Sequence, residues 1–318
     1  MHWRILLTML LGLQLPWDVQ ARDAPVSSME TRFDALHRLA QDVAERPQLE
    51  QAPIVRARFE RDFATSYSGH ALQRTHDRDL TFLLRAAGVL GFFSDTRSDL
   101  EWIERPLREL ERRGSASEDD RLVYFRALVG LRLFDTARAY RDAHGLREAE
   151  PIPDITSAMT GVSEGPIVYE AAPDTATLVR RRARIDAGVH LVVVSLPLCG
   201  FSRSAMETLS DDPVLGAFIR ERTTWLAPVA RRLDFDALQA WNRAHPATPV
   251  VLAERREDWS FIKAWSTPTF HVLKDGQLIG SFEGWPREQG RRLQLAALLR
   301  YAGVDVGLDM DGSPGPAR

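Results

Sequence analysis

The stretch "VHLVVVSLPLCGFSRSAMETL", Val189–Leu209, carries the clearest structural signal in the sequence. After His190 its first part is an unbroken aliphatic run, which is typical of a strand buried on both faces of a parallel sheet. A short turn follows, and residues 200–209 have the composition of a helix. Cys199, the only cysteine in 318 residues, stands where the turn meets the helix. The order predicts a strand, a turn and a thiol at the first turn of a helix.

One cysteine cannot form an internal disulfide, so Cys199 is a buried inert thiol, an intermolecular partner or a reactive nucleophile. A helix start offers unpaired N–H groups and the positive end of the helix dipole, and both stabilise a thiolate. Thiols in such places have pKa values of about 3.5–7.5 instead of about 8.5. Gly200 leaves room for the backbone, the Ser202 hydroxyl is placed to bond the sulfur, and Arg203 adds positive charge.

The composition, 44% hydrophobic and 27% charged, is that of an ordinary folded protein. A net charge of −3 favours neither nucleic acid nor an acidic membrane surface as a partner. We find no phosphate-binding loop, no dinucleotide fingerprint, no nucleophile elbow and no zinc-ligand spacing. We therefore expect no metal and no cofactor.

The N-terminus has the features of a secretory signal. A basic residue precedes an apolar run over residues 5–15, and a small-residue cleavage site ends at Ala21. The run is shorter than the ~20 residues of a spanning helix. We predict a signal peptide over residues 1–21, cleavage after Ala21, a periplasmic protein in a Gram-negative host and no membrane span after cleavage. An uncleaved signal that acts as an anchor is the alternative.

Residues 22–150 show helical spacing of apolar side chains, which predicts an all-α domain. This domain is either a plain helical bundle or a tetratricopeptide-like module. The second alternative rests on residues 122–146, which match one such helical hairpin, with Leu128 in its first helix and Ala137 in its second. Residues 151–165 are rich in Pro, Gly, Ser and acids and predict a linker.

Residues 166–304 alternate between strand and helix patterns, which predicts an α/β domain. Among these elements we expect a helix over residues 174–188 and a final hairpin whose turn is Asp275-Gly276. Residues 305–318 predict a disordered tail.

Two motifs, "LVVVSLPLCGFS" (191–202) and "STPTFHVLKDGQLIGSFEGW" (266–285), resemble the thioredoxin-like superfamily. The helix and strand patterns of residues 234–254 are similar to the insert of TlpA/ResA-like periplasmic thioredoxins. The resemblance implies a thioredoxin-like α/β domain, a central mixed sheet flanked by helices, after the all-α domain. It also implies that Pro268 is cis and packs against Cys199. The backbone at Thr267 and Pro268 would then pair with a substrate peptide.

The sequence departs from that family in three places. Ser202 stands where a dithiol site has its resolving cysteine, Val193 replaces a buried acid, and Leu198 replaces an aromatic residue. Without a resolving thiol, a mixed disulfide at Cys199 has to be released by another thiol. "CGFS" also matches monothiol glutaredoxins, but no segment resembles their glutathione-binding parts.

Two functions remain open. The first is monothiol thiol–disulfide exchange, of the isomerase or mixed-disulfide type, on protein thiols and disulfides of the cell envelope, with glutathione or another small thiol as a further partner. The second is a redox-inactive thioredoxin-fold scaffold with a helical docking module. For the first function the candidate catalytic and substrate-binding residues are Cys199, Ser202, Gly200, Phe201, Thr267 and Pro268. His190 and His271 are expected to be structural. Trp265 and Trp285 are expected to pack in the core, with a position beside the thiol as the alternative.

Overall fold

The computed structural model describes residues 27–306, apart from residues 45, 95, 160–164, 286–289 and 305. The predicted signal peptide, residues 1–21, and residues 307–318 of the predicted tail lie outside this range. No helix in the described range is long and apolar enough to cross a membrane.

Helices fill the first half of the chain. They are α1 (Ser28–Val43), α2 (Gln48–Phe63), α3 (Gly69–Arg74), α4 (Asp77–Ser94), α5 (Arg97–Arg113), α6 (Glu118–Gly130) and α7 (Phe134–His144), with a 3₁₀ turn at Ala64–Tyr67. Their ends follow from the sequence. Ser117 and Asp120 form a capping box at the start of α6, and Gly114 ends α5 in the left-handed region at φ 72°. The all-α domain is thus confirmed as a helical part.

Strands and helices alternate in the second half. The strands are β1 (Asp154–Ser157), β2 (Ile167–Ala171), β3 (Thr177–Arg182), β4 (Val189–Val194), β5 (Thr223–Ala227), β6 (Val250–Ala253), β7 (Thr269–Lys274) and β8 (Gln277–Glu283). The helices are α8 (Gly200–Ser210), α9 (Gly216–Arg222), α10 (Phe235–Ala244) and α11 (Gly290–Ala302), with a 3₁₀ turn at Glu257–Trp259. The strands form one mixed sheet in the order β1-β3-β2-β6-β5-β4-β7-β8.

Strand β4 is central and buried, as its aliphatic run predicts. It pairs in parallel with β5 and antiparallel with β7. Because Val194 lies opposite Thr269, the carboxyl end of β4 and the amino end of β7 meet at one edge of the sheet. The loops that carry Cys199 and Pro268 leave the sheet at that edge.

One predicted element is wrong. We expect a helix over residues 174–188, but Thr177–Arg182 form strand β3. The strand is paired on both sides, parallel to β1 and antiparallel to β2. Arg180 also binds Glu254, with Nε 2.7 Å from Oε1. The helical propensity of this arginine-rich stretch is weaker than two ladders of hydrogen bonds. Strand β1, its partner, lies within the predicted linker, 151–165.

The helical half is packed against the sheet. Helices α1–α5 enclose a core of their own, whereas α6 and α7 share a core with the sheet and α8. The rings of Phe134 on α7 and Tyr169 on β2 meet edge to face, 5.3 Å between centroids. Arg132, in the turn between α6 and α7, donates from Nε to the carbonyl oxygen of Ala253, at 3.1 Å.

Candidate functional site

The backbone places Cys199 at the start of helix α8. Cys199 is the N-cap residue, with extended backbone angles of φ −87° and ψ 117°, and α8 begins at Gly200. The Cys199 carbonyl accepts the first helical hydrogen bond, from the N–H of Arg203 at 2.9 Å. The sulfur therefore lies beside the unpaired N–H groups of the first turn.

The antiparallel pairing of β4 and β7 brings the second motif to the thiol. The Thr267–Pro268 peptide bond is cis, which confirms what the resemblance implies. Cys199 Sγ lies 3.6 Å from the carbonyl oxygen of Thr267, to which the thiol donates. Cys199 is 6% exposed, so the thiol is largely covered.

Ser202 occupies the place of a resolving cysteine and is fully buried. Its Oγ accepts a hydrogen bond from the N–H of Leu196, at 3.3 Å. That bond ties the turn after β4 to the first turn of α8. Ser202 therefore supports the loop and lies beside the sulfur at the same time.

The surroundings of Cys199 act in opposite directions on its pKa. Burial of the sulfur raises the pKa, but hydrogen bonds from the Thr267 side chain, from the backbone and side chain of Ser202, and from the Phe201 N–H outweigh it. The pKa of Cys199 is therefore lowered below its ordinary value. The first turn of α8 and Ser202 are among the groups that lower it.

Exposed apolar side chains flank the thiol. Leu198 is 64% exposed and Phe201 58% exposed, on either side of Cys199 in the sequence. A Cβ at Gly200 would meet no atom within 4 Å, so the first turn of α8 is open to an approaching molecule. The surface next to Cys199 in the sequence is therefore apolar.

The cis-proline loop offers one of its two residues for pairing. The Pro268 carbonyl accepts a hydrogen bond from the N–H of Gly284, at 2.8 Å, and proline has no N–H to donate. Thr267 is partly exposed, and its N–H forms no hydrogen bond with the described part of the chain. Thr267 is thus the residue that can pair with an extended peptide, whereas Pro268 shapes the loop.

Sequence reasoning missed a contribution from the helical half. Oε1 of Gln48, the first residue of α2, accepts a hydrogen bond from the N–H of Trp265. Trp265 precedes Thr267 by two positions and lies with its ring 5.9 Å from the guanidinium carbon of Arg256. Nothing in the local sequence marks a residue 217 positions away, since the contact depends on how the two halves pack.

Other residues singled out from the sequence lie in the core. Trp285 is 6% exposed and packs on Phe270, with ring centroids 5.4 Å apart. His190 and His271 are both buried; His190 shares a hydrogen bond with Thr224, whereas neither ring nitrogen of His271 has a partner among the described residues. Val193 is fully buried, where the related site would have its acid. The described residues contain no cluster of three metal-ligating side chains.

The strand order β5-β4-β7-β8, the helix that starts at Cys199 and the cis proline opposite the thiol define a thioredoxin-like fold. A helical part precedes it. The chain matches no family model and no curated protein. A structure search returns a thioredoxin-like protein from Bacteroides caccae, at 12% identity and a TM-score of 0.28, which covers 90% of this chain and 98% of that one. The strand order and the position of Cys199 and Pro268 define the fold of this chain.

Proposed function

We propose that this thioredoxin-like protein is exported and carries out monothiol thiol–disulfide exchange at Cys199. The observation that carries the proposal is the position of Cys199 as the N-cap residue of α8, where the sulfur lies beside the unpaired N–H groups of the first turn. Hydrogen bonds that favour the thiolate and exposed apolar side chains on either side support it. A thiolate is the nucleophile in disulfide exchange.

The exchange needs no added oxidant. The Cys199 thiolate attacks one sulfur of a substrate disulfide, a new S–S bond forms, and the other substrate sulfur leaves as a thiolate that takes up a proton. Isomerisation follows when a thiol of the same substrate attacks the mixed disulfide and Cys199 leaves. Alternatively, an outside thiol such as glutathione releases the substrate. The resemblance to TlpA/ResA-like periplasmic thioredoxins suggests that the substrates are envelope proteins.

The test is the reactivity of the thiol against pH. Because Cys199 is the only cysteine, the rate of alkylation by iodoacetamide reports on it alone. We expect the rate to reach half its plateau at a pH below the ~8.5 of a free thiol. A profile like that of free cysteine would remove the proposal. Cys199→Ser gives the blank.

A redox-inactive scaffold is the second candidate, and the buried Ser202 and Val193 favour it, since both replace groups of a dithiol enzyme. Capture of envelope proteins by wild type and by Cys199→Ser distinguishes the exchange function from the scaffold function. Partners held through a reducible bond and lost in Cys199→Ser support exchange. Partners that are identical for both proteins support the scaffold.

Export is tested separately at the N-terminus. We expect the mature protein, recovered from the periplasmic fraction, to begin at Arg22. Its intact mass decides this, and a mass that includes residues 1–21 in a membrane fraction would instead indicate an uncleaved anchor.

A further inference from the structure

Helix α2 belongs to the helical half, yet its first residue contacts the loop that faces the thiol. Gln48 Oε1 accepts the hydrogen bond of the Trp265 N–H. Two residues later, the Thr267 carbonyl lies 3.6 Å from the Cys199 sulfur. A short path of contacts therefore runs from the first turn of α2 to the nucleophile.

The other end of this loop is fixed by a different element. The Ser266 hydroxyl donates to Glu283 Oε2 of strand β8, at 3.0 Å, and the Thr269 hydroxyl donates to the Ser266 carbonyl, at 2.7 Å. The first bond ties the Ser266 side chain to β8, and the second closes the turn that contains Thr267 and Pro268. The backbone just before this turn is bonded to the helical half: the Trp265 N–H donates to Gln48 of α2.

We propose that Gln48 is a positioning residue of the thiol site, which acts by holding Trp265 and thereby keeps Thr267 against Cys199. The inference rests on the proposed exchange function. It makes the helical half a part of the site, in addition to any docking role. Gln48 acts through its bond to Trp265 and forms no hydrogen bond with the sulfur.

The expected size follows from the bond that is lost. One hydrogen bond changes a local equilibrium by about two- to tenfold. When the loop leaves its position, the Thr267 side chain no longer stabilises the thiolate. The thiolate fraction at neutral pH then falls, and the alkylation rate falls with it by about two- to tenfold.

Three full-length variants test the proposal. Gln48→Met keeps the length of the side chain but removes the acceptor, and Gln48→Glu keeps an acceptor. Gln51→Met is the matched control, because Gln51 lies on the same helix and donates to the carbonyl oxygens of Arg46, at 2.9 Å, and Ala44, at 3.4 Å. Two quantities are measured: hydrogen exchange of the peptide that covers residues 263–270, and the alkylation rate of Cys199 from pH 5 to pH 10.

We expect faster exchange at residues 263–270 and a thiol profile moved to higher pH in Gln48→Met. Gln51→Met should match wild type in both, and Gln48→Glu should restore the slow exchange. Wild-type exchange in Gln48→Met would overturn the proposal. So would faster exchange with an unmoved thiol profile, because Gln48 would then serve stability alone. A wild-type thiol that titrates like free cysteine instead refutes the proposed function, before any variant is compared.

Discussion

Replacement of His271 by leucine should stabilise this protein, and more so in acid. His271 lies on β7, close to the cis-proline loop, and is 3% exposed. Neither of its ring nitrogens has a partner in the described chain. Burial lowers the pKa of His271 from 6.5 to about 4. The ring is therefore neutral in the folded protein at a pH where it is already protonated in the unfolded chain.

The sign follows from proton linkage. Between pH 6.5 and pH 4 the unfolded chain binds one more proton at His271 than the folded protein does, so stability falls as the pH falls through this window. At ~1.36 kcal/mol per pH unit, a pKa lowered from 6.5 to about 4 corresponds to about 3 kcal/mol lost below pH 4. Leucine does not titrate and escapes this loss. At pH 7.5 it also removes a buried imidazole group without a hydrogen-bond partner, which costs ~1–3 kcal/mol.

The assay is urea unfolding of wild type and His271→Leu at several pH values from 4.5 to 7.5. We expect the variant to be the more stable by about 1 kcal/mol at pH 7.5. The difference should widen by about 2–3 kcal/mol towards pH 4.5. Parallel curves would refute the reasoning, because His271 would then titrate in the folded protein as it does in the unfolded chain.

His190 provides the matched control. Burial, and after it the charge of Arg222, lowers the pKa of His190 to about 4. Its Nε2 lies 2.9 Å from the Thr224 hydroxyl, so its ring has a partner. His190→Leu should therefore show the same widening in acid but a loss of ~1 kcal/mol at pH 7.5. A gain at neutral pH in both variants would mean that the missing partner of His271 does not matter.

The remaining predictions concern the site and the contact between the halves. Ser202→Ala removes the acceptor of the Leu196 N–H, so it should lower the free energy of unfolding by ~1 kcal/mol. It also removes a donor to the thiolate, so the alkylation profile of Cys199 should move to higher pH. An unmoved profile would exclude Ser202 as a stabiliser of the thiolate. A Cβ at Gly91 of α4 would overlap the Arg231 guanidinium, which donates to the Gly88 carbonyl at 3.2 Å, so Gly91→Ala should destabilise wild type. In an Arg231→Met background the overlap is gone, so Gly91→Ala should raise the free energy of unfolding by ~1 kcal/mol through its higher helix propensity. Chemical unfolding of wild type, the two single variants and the double variant measures this double-mutant cycle.

Local signals in the sequence determined the elements around the thiol. An aliphatic run long enough for one strand, a turn and a helix-forming stretch define β4 and α8, and the Asp275-Gly276 turn defines the β7–β8 hairpin. These features depend on neighbours within a few residues, which is why they are readable from the chain alone. The cis bond at Pro268 was predictable only from the family resemblance, since composition does not indicate it.

Where local preference and long-range pairing disagree, only the tertiary structure decided. Residues 177–182 have helix-forming arginines but form a strand, because β1 and β2 supply hydrogen bonds on both sides. Packing also decided the contact of Gln48 with Trp265, the lack of hydrogen-bond partners for the His271 nitrogens among the described residues, and the shared core of α6, α7 and the sheet. Each depends on residues far apart in the chain that meet only after packing. The sequence by itself specified a thiol at a helix start, and packing brought Thr267 and the helical half to it.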